Sequence, residues 1–390
     1  MIMKLLKILK IIAINIVVLI GLLIALNLSA IIIFHGYKKI NPISNASGKT
    51  SSDIRAGLPN YKNIDWAKKH FEEFGELPAE YRSYIGWRRL PYEGETISID
   101  EQGIRNTPQS ELATEKSPIV VFLGGSAMWG TGSNDENTIP ALFAKNAQGD
   151  YRTVNLGETA YNAFQGYLFL KLQIINGLSP DIVVSYDGVN DGYSLKSGLR
   201  PFGDIKEEEI RTIMKGKNRE KEEKIEEALS FSHFFLNPLK SFISEFKSPS
   251  TLKDGNSNAK KITYDLSQER IDQTAIALLE SWLSTKDLAE KHGARFIAVL
   301  QPTASIGKPY LEYLELDEDP FELFYPAVLK LLQTPKYQEL SNYVIVLTGA
   351  FDIEEPIYID NCHVSPNGNK IIATIIYDHI NNSIDNKKRN

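Results

Sequence analysis

Five short apolar runs, each closed by a glycine, a proline or a polar turn, constrain this chain more than any other feature. They are "PIVVFLGG" at 118–125, "RTVNLG" at 152–157, "DIVVSYDG" at 181–188, "ARFIAVLQP" at 294–302 and "YVIVLTG" at 343–349. Most are short, rich in β-branched residues and without polar alternation, as strands buried on both faces are. Helical stretches lie between them, with "GYLFLKLQIING" before the third run and "RIDQTAIALLESWLSTKDLAEKHG" before the fourth. Strand, helix and strand in repetition predict a parallel sheet covered by helices on both faces. In such a sheet, ligands bind beyond the carboxyl ends of the strands.

The N-terminus follows a different rule. From Ile11 to Phe34 the chain carries no charge. At about 1.5 Å per residue this stretch can cross a hydrocarbon core of about 30 Å. Lys4, Lys7 and Lys10 precede it, which favours an N-terminus in the cytoplasm and the remainder outside. The expectation is a single-pass membrane protein with its main domain in the periplasm or at the cell surface. A signal peptide cleaved after Ala30 is the rival reading, although the apolar run exceeds the usual length of about 7–15 residues.

Composition excludes several classes. A net charge of −6 with no concentrated basic face gives no reason to expect nucleic acid. A single cysteine rules out a disulfide framework and a Cys-rich zinc site. With six histidines and no HExxH-like pair, no metal centre is expected.

Four short motifs fall at strand ends. In "GGSAMWG", Ser126 follows two glycines that permit a tight strand-to-helix turn; alone, it reads equally as a helix cap. In "NLGETAYN", Gly157 lets the backbone approach a ligand closely enough for its N–H to donate. In "DGVND", Asn190 offers a neutral side-chain N–H, and Asp191 reads as a loop or cap carboxylate. In "DNCHVSPNGN", Asp360 and His363 stand at a spacing that lets a carboxylate reach the imidazole Nδ1 and leave Nε2 free. Each motif has an ordinary structural explanation. Together they supply a nucleophile, oxyanion donors, a base and its orienting carboxylate on successive strand ends.

This set resembles the SGNH hydrolases, or GDSL-like esterases and lipases, over about residues 118–380. "GGS" stands where the family often has GDS, "NLG" is similar to its glycine block, "GVND" to its G-x-N-D block and "DNCH" to its D-x-x-H block. The resemblance implies a flavodoxin-like three-layer α/β/α sandwich of about five parallel strands, joined here to the N-terminal transmembrane helix. It implies Ser126 as nucleophile, His363 as base and Asp360 as its partner. The Ser126 and Gly157 N–H groups and the Asn190 side chain would form the oxyanion hole. No cofactor is implied. A pH–rate profile with an apparent pKa near neutrality is expected for such a base.

On this reading, residues 1–36 are a cytoplasmic tip and anchor, 37–57 a polar stalk and 58–117 an extension packed on the catalytic domain. Residues 118–382 are that domain, with a helical insertion at about 196–262, and 383–390 are a polar tail. Aromatics in the insertion, such as Phe231, Phe234 and Phe235, could line a substrate site. Trp129 and Gln301 are further candidates to face substrate. Cys362 reads as a buried, inert thiol, and His379 as structural. The expected substrate is an ester on an envelope or exported polysaccharide, most simply an acetyl group. The alternatives are a membrane-proximal lipid or thioester, acyl transfer to a sugar hydroxyl, or a non-catalytic glycan-binding role.

Overall fold

The computed structural model describes residues 53–203 and 263–389, with isolated positions at Lys10, Ile11, Ile14, Asn15, Val18 and Glu207. The chain divides into two compact units, Met1–Lys49 with Glu209–Lys261, and Thr50–Glu208 with Ile262–Asn390. The second unit is described below. Among the described residues no helix is long and apolar enough to cross a membrane. The expected span at Ile11–Phe34 lies outside them apart from the isolated positions, as do Phe231, Phe234, Phe235 and most of the insertion.

Nine strands follow in chain order: β1 Ala79–Arg82, β2 Gly86–Arg89, β3 Tyr92–Glu93, β4 Ser98–Ile99, β5 Ile119–Gly124, β6 Arg152–Asn155, β7 Ile182–Asp187, β8 Arg295–Leu300 and β9 Val344–Val346. The last five form one parallel sheet in the order β6-β5-β7-β8-β9. Counted within the sheet this is 2-1-3-4-5, the flavodoxin-like order, which reverses direction at β5 and β7. All five apolar runs of the sequence are its strands.

Eight helices are described: α1 Ala67–Glu76, α2 Ser126–Trp129, α3 Ile139–Ala147, α4 Ala163–Ile175, α5 Val189–Tyr193, α6 Gln268–Lys291, α7 Phe321–Leu332 and α8 Pro366–Arg389. The sheet faces sort them. Val121, Leu123, Val183, Phe296 and Ala298 share a core with residues of α4, α6 and α7, including Trp282 and Phe324. The alternate residues Val120, Phe122, Val184, Ile297 and Val299 share the other with Phe143 of α3 and Ile372 and Ile376 of α8. Successive side chains of a strand point to opposite faces, so a run apolar at every position is what a two-sided burial requires. The closing helix α8 continues to Arg389, through the residues expected to be a polar tail.

Two small antiparallel sheets, β1 with β2 and β3 with β4, come from the segment before β5. This segment sends two buried arginines into the loops behind the sheet edge. Arg88 donates to the carbonyls of Gly103 (2.7 Å) and Gly157 (3.3 Å), and its guanidinium lies 4.1 Å from the Phe169 ring centroid. Arg105 pairs with Asp135 at 2.8 Å and donates to the carbonyls of Gly130 (2.8 Å) and Ser133 (2.6 Å). The Arg105 guanidinium also stands 4.4 Å over Trp129. It therefore closes the C-terminal end of α2, whose own carbonyls have no helical partner.

The ends of the insertion are drawn together directly after α5. Lys196 bridges Tyr264, Ser197 N–H donates to the Thr263 carbonyl at 2.9 Å, and Asp265 N–H donates to that of Leu195 at 2.8 Å.

Arg105→Met should lower unfolding free energy by about 3–5 kcal/mol, because it leaves Asp135 and several carbonyls without their donor in a water-poor site. Urea unfolding of the variant beside wild type measures it. A loss below 1 kcal/mol would show that the guanidinium is not holding this corner.

Candidate active site

Strand β5 ends in Gly124, and Gly125 caps a single helical turn that begins at Ser126. The turn is four residues long, so the first N–H groups, those of Ser126 and Ala127, have no acceptor within it. The Ser126 hydroxyl is thus held at the carboxyl edge of the sheet beside backbone donors.

His363 reaches this hydroxyl from the other side of the switch point. Its Nε2 lies 2.6 Å from Ser126 Oγ. Its Nδ1 lies 2.7 Å from Asp360 Oδ2 and 2.9 Å from Oδ1. Asp360 Oδ1 also accepts the backbone N–H groups of Cys362 (3.0 Å) and His363 (2.8 Å). A tight loop achieves this: Ile359 N–H closes onto the His363 carbonyl at 2.9 Å, and Pro366 then opens α8.

Charge in this pair is strongly coupled. Burial opposes ionisation of Asp360, and the adjacent imidazole outweighs it, holding the carboxyl far below its usual range. Burial likewise opposes the imidazolium, and Asp360 outweighs it, so His363 is raised. A base acts when neutral, so the titration of His363 moves upward from the near-neutral value expected of the sequence.

The oxyanion donors are partly rearranged. Asn190 stands in the first turn of α5, and its Nδ2 donates to the Tyr161 carbonyl at 2.7 Å. That bond uses one of two N–H groups and fixes the direction of the other. Asp191 ties this turn down by accepting from Gly188 N–H and Ala163 N–H, each at 3.2 Å. Gly157, by contrast, has a bond to give up or share before it can donate to an oxyanion. Its N–H already donates to Asn155 Oδ1 at 3.0 Å, and a side chain there would meet the Trp129 backbone nitrogen at 2.7 Å. It is a packing corner under α2. Among the described residues, the one N–H between Leu156 and Tyr161 with no protein acceptor belongs to Ala160. That residue takes a left-handed φ of 63°, uncommon outside glycine. No sequence signal marks it, because alanine does not advertise this conformation.

The two candidates for substrate contact are placed elsewhere. Trp129 is fully buried, in a cluster with Leu77, Ile97 and Ile99, and packs against the N-terminal extension. Gln301 is buried and donates to the Cys362 carbonyl at 3.1 Å, while its own carbonyl accepts from Tyr325 at 2.7 Å. It braces the histidine loop. Cys362 is buried, and burial raises its thiol. His379 is lowered by burial and by Arg295. Donor atoms of Asp360, Cys362 and His363 lie within 4.8 Å of one another. However, the carboxylate is spent on Nδ1 and backbone N–H groups, so the arrangement is a hydrogen-bonded triad.

A residue that the sequence reading assigned to the stalk also enters. Asp53–Gly57 is folded: Ile54–Gly57 forms a 3₁₀ turn, and Arg55 Nη1 donates to Asp360 Oδ2 at 3.1 Å.

No family model matches the sequence, and no curated protein matches it. Among solved structures, the chain is similar to a carbohydrate acetylesterase family member from Sinorhizobium meliloti, at 12% identity and a TM-score of 0.37, covering 67% of this chain and 97% of that one. A GDSL-like lipase from Bacteroides thetaiotaomicron shares 14% identity at a TM-score of 0.36, covering 70% and 92%. The psychrotrophic esterase EstA from Pseudoalteromonas sp. shares 10% at 0.37, covering 68% and 98%. Likenesses this distant carry no weight for the chemistry, which rests on the side chains above.

Gly125 offers a direct check of the oxyanion assignment. A Cβ built there would stand 2.1 Å from Asn190 Nδ2 and 3.1 Å from the Tyr161 carbonyl. Gly125→Ala should displace the amide and lower kcat for an ester by about 10²-fold, as loss of one oxyanion donor does. Asn190→Ala should match it, and the double variant should lose little more. Additive losses would separate the two residues.

Proposed function

We propose that this protein is a serine esterase of SGNH type that removes an acetyl or similarly small acyl group from a cell-envelope or exported polysaccharide. The observation that carries the reading is the unbroken chain of hydrogen bonds from Ser126 through His363 to Asp360.

The mechanism follows from these contacts. Ser126 Oγ attacks the ester carbonyl and its proton passes to His363 Nε2. Asp360 keeps the proton on Nδ1 and stabilises the imidazolium as it forms. Negative charge on the former carbonyl oxygen meets the unpaired first-turn N–H of Ser126 and the second N–H of Asn190. His363 returns its proton to the departing alkoxide. Water then adds to the acyl-enzyme by the same route and frees the acid.

The apolar stretch Ile11–Phe34 and the lysines before it support a single-pass anchor with this site outside the cytoplasm, within reach of envelope glycans.

The test uses the full-length chain beside Ser126→Ala, on aryl esters of increasing acyl length and on an O-acetylated polysaccharide. Acetate release should fall by at least about 10³-fold in the variant, and a fluorophosphonate should label only wild type. Preference for long acyl chains would move the substrate to lipid. Absence of both labelling and hydrolysis in a folded protein would end the esterase reading.

The pH dependence has a definite sign. Because His363 must be neutral and Asp360 raises it, kcat/KM should still be climbing above pH 7. A profile already flat below neutrality would mean that the carboxylate does not govern the base.

A further inference from the structure

Asp360 Oδ2 serves two cationic partners at once. It lies 2.7 Å from His363 Nδ1 and accepts from Arg55 Nη1 at 3.1 Å. Arg55 is itself held from behind. Its Nη2 donates to Asp53 Oδ2 at 2.7 Å, its Nε to Asp53 Oδ1 at 3.0 Å, and its guanidinium lies 4.9 Å from the Phe71 ring centroid. Asp53 also accepts Arg55 N–H at 3.0 Å, closing the turn. The surrounding strap is anchored on the histidine loop and on the turn after α2. Asn60 donates to the carbonyls of Pro356 (2.8 Å) and Tyr358 (3.1 Å), and Tyr61 donates to that of Gly132 (2.6 Å).

We propose that Arg55 is a positioning residue that sets the basicity of His363 through Asp360, with Asp53 limiting how much of its charge the triad feels. A carboxylate oxygen that also accepts from a guanidinium has less negative potential to offer an imidazolium. Arg55 thus opposes the upward pull of Asp360 on His363. Asp53 opposes Arg55.

The neighbouring groups leave these charges in control. Tyr61 is raised, by burial foremost, and stays neutral; His70 is lowered, by burial and then by Arg105 and Arg55. Tyr193 and Cys362 are both raised by burial and stay neutral. Asp319 faces Tyr193 from the loop before α7, where it accepts from Ser305 and Asn361. Among the described residues, the charges beyond the triad that face this edge include Arg55, Asp53 and Asp319, and the carboxyls of Asp187 and Asp191, buried under the Asn190 turn, are both raised by burial.

The test is titration of the His363 ring by NMR in the full-length chain with isotope-labelled histidine, the signal being assigned by its loss in His363→Gln. Removing the cation in Arg55→Gln should raise the His363 pKa by about one unit, a modest shift because the pair is partly exposed. Asp53→Asn should lower it, by about half a unit or more. Arg55→Lys keeps the charge and should stay near wild type. The same ordering should appear in the acid limb of kcat/KM, moving to higher pH in Arg55→Gln and to lower pH in Asp53→Asn. A strap that merely packs would lower activity at every pH and leave the ring titration in place. Equal titrations, or shifts of the same sign in the Gln and Asn variants, overturn the proposal.

The kinetic arm rests on the esterase reading, and the ring titration does not. Opposite ring shifts without ester hydrolysis would retain the coupling and remove the esterase. Hydrolysis without opposite shifts would do the reverse.

Discussion

The Asp360 carboxylate is the contact on which the site depends. Within one short loop it accepts two backbone N–H groups and the imidazole, and it then reaches across to Arg55. A carboxylate with this many donors is ionised at any ordinary pH. Its fixed charge orients the His363 ring, and the ring orientation places Nε2 on Ser126. Removing the carboxylate would free the loop as well as the ring. The surrounding elements reinforce it: Gln301, just after β8, braces the Cys362 carbonyl, and Ala304 N–H donates to the Asn361 carbonyl at 2.9 Å.

The segment before β5 behaves as a second wall of the same site. Arg88 and Arg105 are taken out of water, which is costly, and each recovers that cost by satisfying several carbonyls in loops with no secondary structure of their own. Those of Gly130, Ser133 and Gly157 lie in the loops that follow α2 and β6. Buried guanidinium groups can serve several divergent acceptors, where a lysine has a single point charge. The nucleophile turn is therefore fixed from in front by the triad and from behind by the extension.

The strands were legible because a parallel sheet imposes apolarity at every strand position, and no other element short enough does so. The strand-end residues Ser126, Asn190, Asp360 and His363 were legible for a related reason: each sits in a turn whose glycine or aspartate is visible in the sequence. Gly157 was legible only in part, because its glycine also answers to the backbone of Trp129, a steric demand from a distant turn. Trp129 and Gln301 misled, since their burial is decided by the extension and by the histidine loop. Arg55 was hidden by its setting. A Ser/Gly/Asn-rich stretch reads as a spacer, and only the fold brings residue 55 to residue 360.

One tension within the site concerns the floor beneath Asn190. Asp187 and Asp191 are both buried there. Asp187 accepts from Ser185 at 2.5 Å and from Trp282 Nε1 at 3.0 Å. Burial, and then the nearby Asp187, push Asp191 up to about 7. Burial also raises Asp187. A carboxyl raised in the folded state stabilises the fold most below its unfolded pKa, and that contribution is lost as pH rises through the folded value. His363, raised by Asp360, obeys the same sign. The alkaline conditions that free His363 to act as base are thus the conditions that ionise the floor under Asn190. Arg55 eases this conflict. By lowering the basicity of His363, it narrows the gap between the pH at which Asp191 ionises and the higher pH at which the base becomes neutral.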